Sequence, residues 1–249
     1  MPGVVPIEVW DLPIEGRLLQ EWRHAPDFAR RIGLAVHAIR EGVSEIAHVH
    51  LLGGGVNPEF GEAVRRHGGV PTSYSLDAFA PARAGATLRP GALCADVGQT
   101  AIKLVDRHDE LRVERDLARA PLRDDVPHDR RAAARVSTIQ FLGAVLAERR
   151  AASAIVLGLP CELGDDGIPR GCTYCWRDPD PDLVPELSRL ARRPISVVND
   201  AELAAVAAAQ DAAVPHDRTT LVLTIGFGVG GALLRGQSLL ALLALLASK

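Results

Sequence analysis

An aspartate that ends an apolar strand, directly before a glycine turn, is the first group in this sequence with an evident chemical use. Residues 94–103 read CADVGQTAIK, so Asp96 precedes Gly98, and Gln99 and Thr100 add an amide and a hydroxyl at the tip of a hairpin. A strand holds the carboxylate rigidly, and glycine lets backbone N–H groups approach an anion. The hairpin suits a metal-bound phosphate, although a glycine hairpin with no ligand is an equally common structure.

A second hairpin and a strand–helix junction extend this set. Residues 224–231, TIGFGVGG, offer backbone donors without a fixed charge. Residues 197–202, VVNDAE, put Asp200 where a strand meets a helix, so its carboxylate is placed to accept the proton of a substrate hydroxyl. The alternative is that Asp200 caps the helix, a role that aspartate often fills.

Taken in order, these segments resemble the phosphate motifs of the superfamily of actin, hexokinase and heat-shock chaperones (ASKHA). The hairpin around Asp96 is similar to the first motif and residues 224–231 are similar to the second. The run 155–160, then Asn199-Asp200-Ala201, then the glycine hairpin resembles the ROK-type sugar kinases, and the likeness extends over residues 93–236. The resemblance implies an α/β chain with a two-lobed, ribonuclease H-like fold of the actin/hexokinase type.

The resemblance also implies a role for each matching residue. Asp96 would organise Mg²⁺, directly or through water, and Asp200 would be the general base in an ATP-dependent transfer to a hydroxyl of a sugar or cyclitol. The substrate side would be formed by Asn199, Pro160, Glu162 and Glu202. The nucleotide and its phosphates would contact Asp96, Gly98, Gln99, Thr100, Lys103, Thr224, Gly226, Phe227, Gly228, Gly54 and Gly55.

Several positions depart from the pattern of the ROK kinases. Phe227 stands where many relatives have threonine, Cys161 where they have glycine, and Glu202 where they have a second asparagine. No Glu-x-Gly-His element and no cysteine-rich zinc motif follow residue 231. These departures favour an alternative function, a catalytically inactive regulatory or scaffold relative that binds a nucleotide. The pair of Asp96 and Asp200 favours the enzyme.

The hydrophobic pattern predicts alternating strands and helices, typical of a mixed α/β protein with parallel strand pairs. Nothing before residue 90 is typical of the helix-turn-helix domain of a repressor. Strands are expected over 46–52, 70–74, 93–96, 101–105, 111–114, 154–159, 195–198, 221–225 and 229–234. Helices are expected over 26–41, 58–67, 77–86, 130–149 and 200–211. A further helix is expected to follow residue 181 and end at residue 193, and a short one is expected near 239–247.

The order of the motifs indicates a circular permutation. In ROK-type chains a helix, a strand and a glycine turn around the adenosine follow the second phosphate loop, but the residues after 236 are too few for these elements. The helix 26–41, the strand 46–52, Gly53-Gly54-Gly55 and the helix from Asp77 resemble them at the front of the chain. Permutation is tolerated when the original termini lie close together. The alternative is a truncated chain with an unrelated first 90 residues.

The permutation implies a division of the chain into parts. Residues 1–90 would be the adenosine-binding part of the second lobe. Residues 91–200 would be the first lobe, with the first phosphate hairpin and the substrate loop. Residues 201–249 would carry the second phosphate hairpin and complete the second lobe. We expect Gly53-Gly54-Gly55 to face the same cleft as Gly98 and Gly228.

The composition of the 249 residues excludes several classes of protein. The 31 acidic and 28 basic side chains give a formal net charge of −3, so no surface for nucleic acid is expected. The 47% of hydrophobic residues indicates a folded chain. No apolar segment is long enough to span a bilayer, and no secretory signal peptide is evident. We expect a cytoplasmic protein with a small-molecule substrate and no membrane partner, and a homodimer stays open.

Cysteines and two histidines are the remaining candidate ligands. Cys161, Cys172 and Cys175 could supply three thiolates to a metal or, as a third alternative, to the iron–sulfur cluster of an ATPase activator. No fourth ligand is evident, so reduced thiols are the favoured interpretation. His48 and His50 share one strand face, where they either bind a metal or form a polar face of the sheet.

Overall fold

A computed structural model of the protein describes residues 4–98, 100–114, 131–149, 151–164, 167–170, 180–226 and 228–235. Over this part of the chain it has six α-helices together with parallel and antiparallel strands, so the predicted mixed α/β class is confirmed. The contacts divide the chain into two compact units. Unit 1 combines Met1–Pro81 with Ala204–Lys249, and unit 2 is Ala82–Leu203.

The elements follow the sequence pattern closely from residue 26 onward. In chain order they are β1 (Val4–Ile7), β2 (Pro13–Ile14), β3 (Arg17–Leu18), α1 (Phe28–Gly42), β4 (Ile46–Leu52), α2 (Pro58–Gly68), β5 (Thr72–Tyr74), α3 (Ala80–Thr87), β6 (Ala92–Val97), β7 (Ala101–Val105), β8 (Glu110–Glu114), α4 (Arg131–Glu148), β9 (Ala154–Leu159), β10 (Glu162–Leu163), β11 (Pro169–Arg170), α5 (Leu183–Ala191), β12 (Ile195–Asn199), α6 (Asp200–Gln210), β13 (Thr219–Ile225) and β14 (Val229–Leu234). The helix expected near 239–247 lies outside the described residues.

The sheet of unit 1 joins strands from both ends of the chain. Its strand order is β1-β14-β13-β4-β5, in which β4 runs parallel to β13 and β5, and β1 runs antiparallel to β14. Alternate residues of these strands point to the same face, and on one face they pack with α1 and α2 into a buried core. The proposed permutation implies that residues 46–52 join the sheet of residues 221–234, and the parallel pairing of β4 with β13 confirms this expectation.

The opposite face of strand β4 carries a buried polar cluster. The Ser73 hydroxyl is hydrogen-bonded to His48 Nε2 at 2.8 Å and to His50 Nδ1 at 2.7 Å. The Asp211 carboxylate lies 3.7 Å from His50 Nε2, and the His50 side chain is fully buried. Both histidines thus share the Ser73 hydroxyl as a hydrogen-bond partner, which is the bonding of a polar face of the sheet.

Burial makes His50 a determinant of acid stability. It lowers the pKa of His50 to about 4, the Asp211 carboxylate opposes this shift, and His48 adds to it. As the pH falls, His50 is protonated in the unfolded chain near the ordinary histidine pKa of 6.5, before it is protonated in the folded protein. The free energy of unfolding therefore decreases as the pH falls below about 6.5. Between pH 7 and pH 5 we expect a loss of about 2 kcal/mol from this residue.

Urea unfolding at the two pH values tests this prediction. His50→Gln removes the titrating group, so the loss of stability between pH 7 and pH 5 is expected to shrink by about 2 kcal/mol. His37→Gln, at an exposed position of α1, is the matched control for the loss of a histidine. If His50→Gln kept the full pH dependence of the natural protein, His50 would not be the responsible group.

The segment before α1 forms three short strands and a 3-10 turn that the hydrophobic pattern does not indicate. Besides β1, the chain makes the β2–β3 hairpin and a 3-10 turn, Leu19–Trp22. The Trp22 ring has the Arg31 guanidinium 3.7 Å from its centroid and the Arg17 guanidinium at 4.5 Å. Trp22 also donates a hydrogen bond from its indole N–H to the Ile14 carbonyl. These cation–π contacts attach the hairpin to α1.

Unit 2 is built on a second five-stranded sheet with the order β12-β9-β6-β7-β8. Strands β6, β9 and β12 are parallel, and β6, β7 and β8 form the predicted antiparallel meander. One face of this sheet packs with α4 and α5 into a buried core that includes Leu93, Ile155 and Leu157. The intervening strand residues, Asp96 among them, point to the other face. Within the described residues, no helix is both long and apolar enough to cross a membrane.

Candidate active site

The first phosphate hairpin pairs Asp96 on β6 with Lys103 on β7. The two residues are register partners, and Lys103 Nζ donates to Asp96 Oδ2 at 2.8 Å. The Gly98 N–H donates to the Ala101 carbonyl at 2.9 Å and closes the turn. The Asp96 side chain is only 10% exposed, so this ion pair compensates a carboxylate that is largely removed from water.

Gly158 opens the space beside Asp96. Asp96, Gly158 and Val198 are register partners on the neighbouring parallel strands β6, β9 and β12. Asn199 and Asp200 directly follow Val198 in the chain. A Cβ atom at Gly158 would lie 2.7 Å from the Leu203 Cδ2 atom and 3.5 Å from the Asp96 Cα atom. A side chain here would therefore displace the Leu203 side chain, which packs against Gly158. The sequence analysis missed Gly158, although a glycine within an otherwise apolar strand signals a close approach.

Asn199 caps helix α6. Its Oδ1 accepts hydrogen bonds from the N–H groups of Ala201 at 2.9 Å and Glu202 at 3.3 Å, which is the bonding of an N-cap side chain. Its Nδ2 donates to the Cys161 carbonyl at 2.7 Å. The alternative in which Asp200 caps the helix is therefore wrong. Asp200 is the first residue of α6, and Asn199 ties the helix start to the loop after β9.

The carboxyl of Asp200 lies in an environment that favours its neutral form. Burial raises the pKa of Asp200 to about 7, and the charge of Asp96 adds to the rise. The Ala201 N–H and the Lys103 ammonium act in the opposite direction. An aspartate with a pKa near neutrality exchanges a proton readily at physiological pH, which is the property that a general base requires.

The second phosphate hairpin belongs to unit 1. The Thr224 hydroxyl accepts from the Gly230 N–H at 3.1 Å, and the Gly226 N–H donates to the Gly228 carbonyl at 3.0 Å. Gly226 is exposed at the tip. A Cβ atom at Gly228 would lie 3.8 Å from the Trp10 ring. Trp10 thus packs against the hairpin from the amino-terminal segment, a contact that no local sequence signal indicates.

The glycine turn after β4 lies against the second phosphate hairpin. Gly53 has φ +114°, and a Cβ atom there would be 2.3 Å from the Ile225 carbonyl oxygen, so only glycine fits. The Gly55 N–H donates to the same oxygen at 3.0 Å, while Gly54 has open space around its Cα. The turn therefore contacts Ile225, the residue directly before Gly226 of the second hairpin. That it faces the same cleft as Gly98 and Gly228 stays a prediction.

The other predicted site residues fall at several places. In unit 2, Thr100 and Glu162 are exposed, while Pro160 at the end of β9 and Glu202 in the first turn of α6 are partly buried. Gln99 and Phe227 lie outside the described residues, so their predicted contacts with phosphate stay predictions.

The cysteines correct one expectation. Cys94 is a free, buried thiol, as expected of a reduced residue. Cys161 is buried and disulfide-bonded, so the expectation of a reduced thiol is wrong at this position. A thiol engaged in a disulfide cannot at the same time be a thiolate ligand of a metal. Cys172 and Cys175 lie outside the described residues.

The fold and the site define the class of this protein. It is a mixed α/β chain with a carboxylate on a strand-end hairpin, a second carboxylate at a strand–helix junction, and a second, glycine-rich hairpin. The sequence profile of the ROK family matches residues 92–241. The chain belongs to the ROK family.

Solved structures give more distant similarities. The chain is 21% identical to the ROK hexokinase from Thermus thermophilus, with a TM-score of 0.32, and covers 47% of it with 58% of its own length. It is 16% identical to a protein from Cytophaga hutchinsonii assigned as a sugar kinase, with a TM-score of 0.39, and covers 48% of it, again with 58% of its own length. The chain therefore spans about half of these structures. No curated protein matches the chain.

Proposed function

We propose that this protein is an ATP-dependent kinase that phosphorylates a hydroxyl of a sugar or of a sugar-like polyol such as a cyclitol. The observation that carries the proposal is the position of Asp200. Asp200 lies two residues after Val198, which pairs with Gly158, and Gly158 pairs with Asp96. The pKa of the Asp200 carboxyl is raised to about 7. Membership of the ROK family supports the same reaction class.

In the proposed reaction Asp200 accepts the proton of the attacking hydroxyl. The backbone of the second phosphate hairpin and the backbone around Gly98 bind phosphate oxygens. Asn199, Pro160, Glu162 and Glu202 form the substrate side. Because Asn199 already uses Oδ1 for the helix cap, its contribution to a sugar comes through the second N–H of Nδ2.

Asp96 is the residue proposed to hold Mg²⁺. It is the one acidic residue among residues 92–105, and Lys103 binds its Oδ2, which leaves Oδ1 for a metal-bound water. A single carboxylate suits Mg²⁺, which keeps several waters and is otherwise bound by substrate phosphates. When bound, the ion would neutralise charge on the transferring phosphoryl group.

A screen for ADP release tests the proposed function. The purified protein would be incubated with Mg²⁺, ATP and a panel of sugars, amino sugars and cyclitols, with a coupled readout of ADP. Asp200→Asn, purified in the same way, is the control for contaminating kinases. Turnover of at least one acceptor that is absent from the control supports the kinase. If no acceptor raises ADP release above the control, the catalytically inactive nucleotide-binding relative is the better description.

We further propose that the adenosine part of the site lies at the front of the chain, as in a circularly permuted ROK fold. Residues 1–90 and 201–249 would then form one lobe and residues 91–200 the other. The pairing of β4 with β13, the Gly55–Ile225 hydrogen bond, and the pairing of Val4 with Leu234 support it. The last of these pairs makes residues 4 and 234 neighbours, as expected for two positions that are joined in the unpermuted order.

A substitution at Gly54 tests the adenosine site. Gly54 has nothing within 4 Å of an added Cβ, so Gly54→Leu is expected to fold normally. A leucine side chain would occupy the space proposed for the nucleotide, so the calorimetric Kd for ATP is expected to rise by about tenfold or more. Gly42→Leu, at the end of α1 and equally free of neighbours, is the matched control. An unchanged Kd in Gly54→Leu would remove this turn from the nucleotide site.

A further inference from the structure

Asp180 is a buried carboxylate that the proposed reaction does not use. Its side chain is only 7% exposed. Arg135 of α4 binds it with two hydrogen bonds, from Nε to Oδ2 at 2.6 Å and from Nη2 to Oδ1 at 2.7 Å. A bidentate pair of this kind fixes the orientation of both side chains. Arg135 therefore holds the chain at Asp180 in a set position on α4.

The backbone of Asp180 is bonded to a short hairpin. Its N–H donates to the Pro169 carbonyl at 3.0 Å. Pro169 belongs to β11, which pairs antiparallel with β10, so that Leu163 faces Pro169 and Glu162 faces Arg170. A hairpin of two residues per strand is not stable on its own. The position of the β10–β11 hairpin therefore depends on its contacts with the rest of unit 2.

The hairpin begins at the candidate active site. Cys161, directly before β10, accepts a hydrogen bond at its carbonyl from Asn199 Nδ2 at 2.7 Å. Asn199 directly precedes Asp200, the proposed general base. Glu162, the first residue of β10, is exposed and belongs to the proposed substrate side. Asn199 thus holds the start of the hairpin, and the ion pair of Arg135 holds its end.

We infer that Arg135 is a positioning residue for the acceptor: through Asp180 it holds the β10–β11 hairpin where Glu162 can contact the substrate. The inference rests on the proposed function for its catalytic meaning. The alternative is that Arg135 only joins α4 to α5, because its Nη2 also lies 2.9 Å from Glu186 Oε2 of α5. A residue that only joins two helices contributes to stability. A positioning residue also determines how tightly the acceptor binds.

Hydrogen exchange tests the contact in the protein without any ligand. Arg135→Met removes the guanidinium and keeps the apolar stem. The Gly164 amide, which donates to the Ile168 carbonyl within the hairpin, is then expected to exchange about tenfold faster or more. Arg149→Met, directly after α4, is the matched control. The Arg149 side chain is equally exposed, at 22%, and pairs with Asp109 in the turn between β7 and β8, so the natural rate is expected.

The double variant Arg135→Met/Asp180→Asn guards against misfolding, because it leaves no unpaired buried charge. It also lacks the ion pair, so the same faster exchange is expected. Arg135→Lys keeps the charge but not the planar fork, and an intermediate rate is expected. If the Gly164 amide exchanges at the natural rate in Arg135→Met, or in the double variant where the single one does not fold, the inference is overturned.

Kinetics separate the positioning role from a merely structural one. Where the ADP-release screen finds turnover, Arg135→Met is expected to raise KM for the acceptor about tenfold or more, while kcat changes by less than about twofold. The calorimetric Kd for ATP is expected to stay unchanged. An unchanged KM beside faster exchange would overturn the positioning role and leave the kinase standing. Faster exchange in the variant, without turnover of any acceptor by the natural protein, would overturn the kinase and leave Arg135 as the residue that holds the hairpin.

Discussion

Asp200→Asn is expected to lower turnover by about 10²-fold or more while leaving folding and nucleotide binding nearly intact. Asparagine has the same shape but cannot accept the proton of a hydroxyl. Asn199 provides the N-cap of α6, so the substitution keeps the cap of the helix. Because burial disfavours the charge of Asp200, its removal costs the fold little.

The measurement is kcat for the best acceptor of the ADP-release screen, together with the calorimetric Kd for ATP. In the natural protein, turnover is expected to rise as the pH increases through about 7, the pKa of Asp200. Asp182→Asn, an exposed aspartate at the start of α5 whose side chain makes no capping bond, is the matched control. Normal turnover in Asp200→Asn would reduce Asp200 to a structural residue.

Asp96→Ala is expected to abolish the effect of Mg²⁺ on nucleotide binding. Asp96 is the acidic residue of the first phosphate hairpin, and the proposed ion has no other carboxylate in residues 92–105. Without it the ion loses its protein ligand, and Lys103 loses the partner at 2.8 Å. Titration of ATP in the presence and absence of Mg²⁺ should therefore give the same Kd in the variant and different values in the natural protein.

Asp109→Ala provides the comparison for a lost carboxylate in the same meander. Asp109 lies in the turn between β7 and β8, its side chain is 57% exposed, and it pairs with Arg149 away from the hairpin. In Asp109→Ala the Kd for ATP should differ between titrations with and without Mg²⁺ as much as it does in the natural protein. A difference that survives in Asp96→Ala would show that Mg²⁺ is held elsewhere, and circular dichroism would confirm that the variant is folded.

The positions of most elements could be predicted from local sequence. Strands 46–52 and 154–159 are found at the expected residues, and α1 and α4 lie within two residues of the expected limits. Side-chain periodicity depends only on neighbouring residues, so it is readable without a fold. The strand-end position of Asp96 and the junction position of Asp200 follow from the same local pattern.

Contacts between distant residues needed the tertiary structure. No local pattern indicates that Trp10 packs on Gly228 or that Gly53 touches Ile225. The disulfide at Cys161 was likewise contrary to the expectation from composition. Such contacts depend on which strands become neighbours, and that choice is made by the burial of whole sheet faces.

The N-cap of helix α6 shows most clearly what the local sequence could not decide. From the sequence, Asp200 was the expected N-cap, although asparagine fills this role equally well and Asn199 directly precedes it. The structure identifies Asn199 as the cap. Strand β12 pairs with β9 through Asn199, and from this position the amide bonds both the Cys161 carbonyl and the first turn of the helix. The sequence by itself determined that a carboxylate and an amide meet a helix start. The sheet decided that the amide caps the helix and the carboxyl lies near Asp96 and Lys103, because strand pairing fixes the backbone from which both side chains extend.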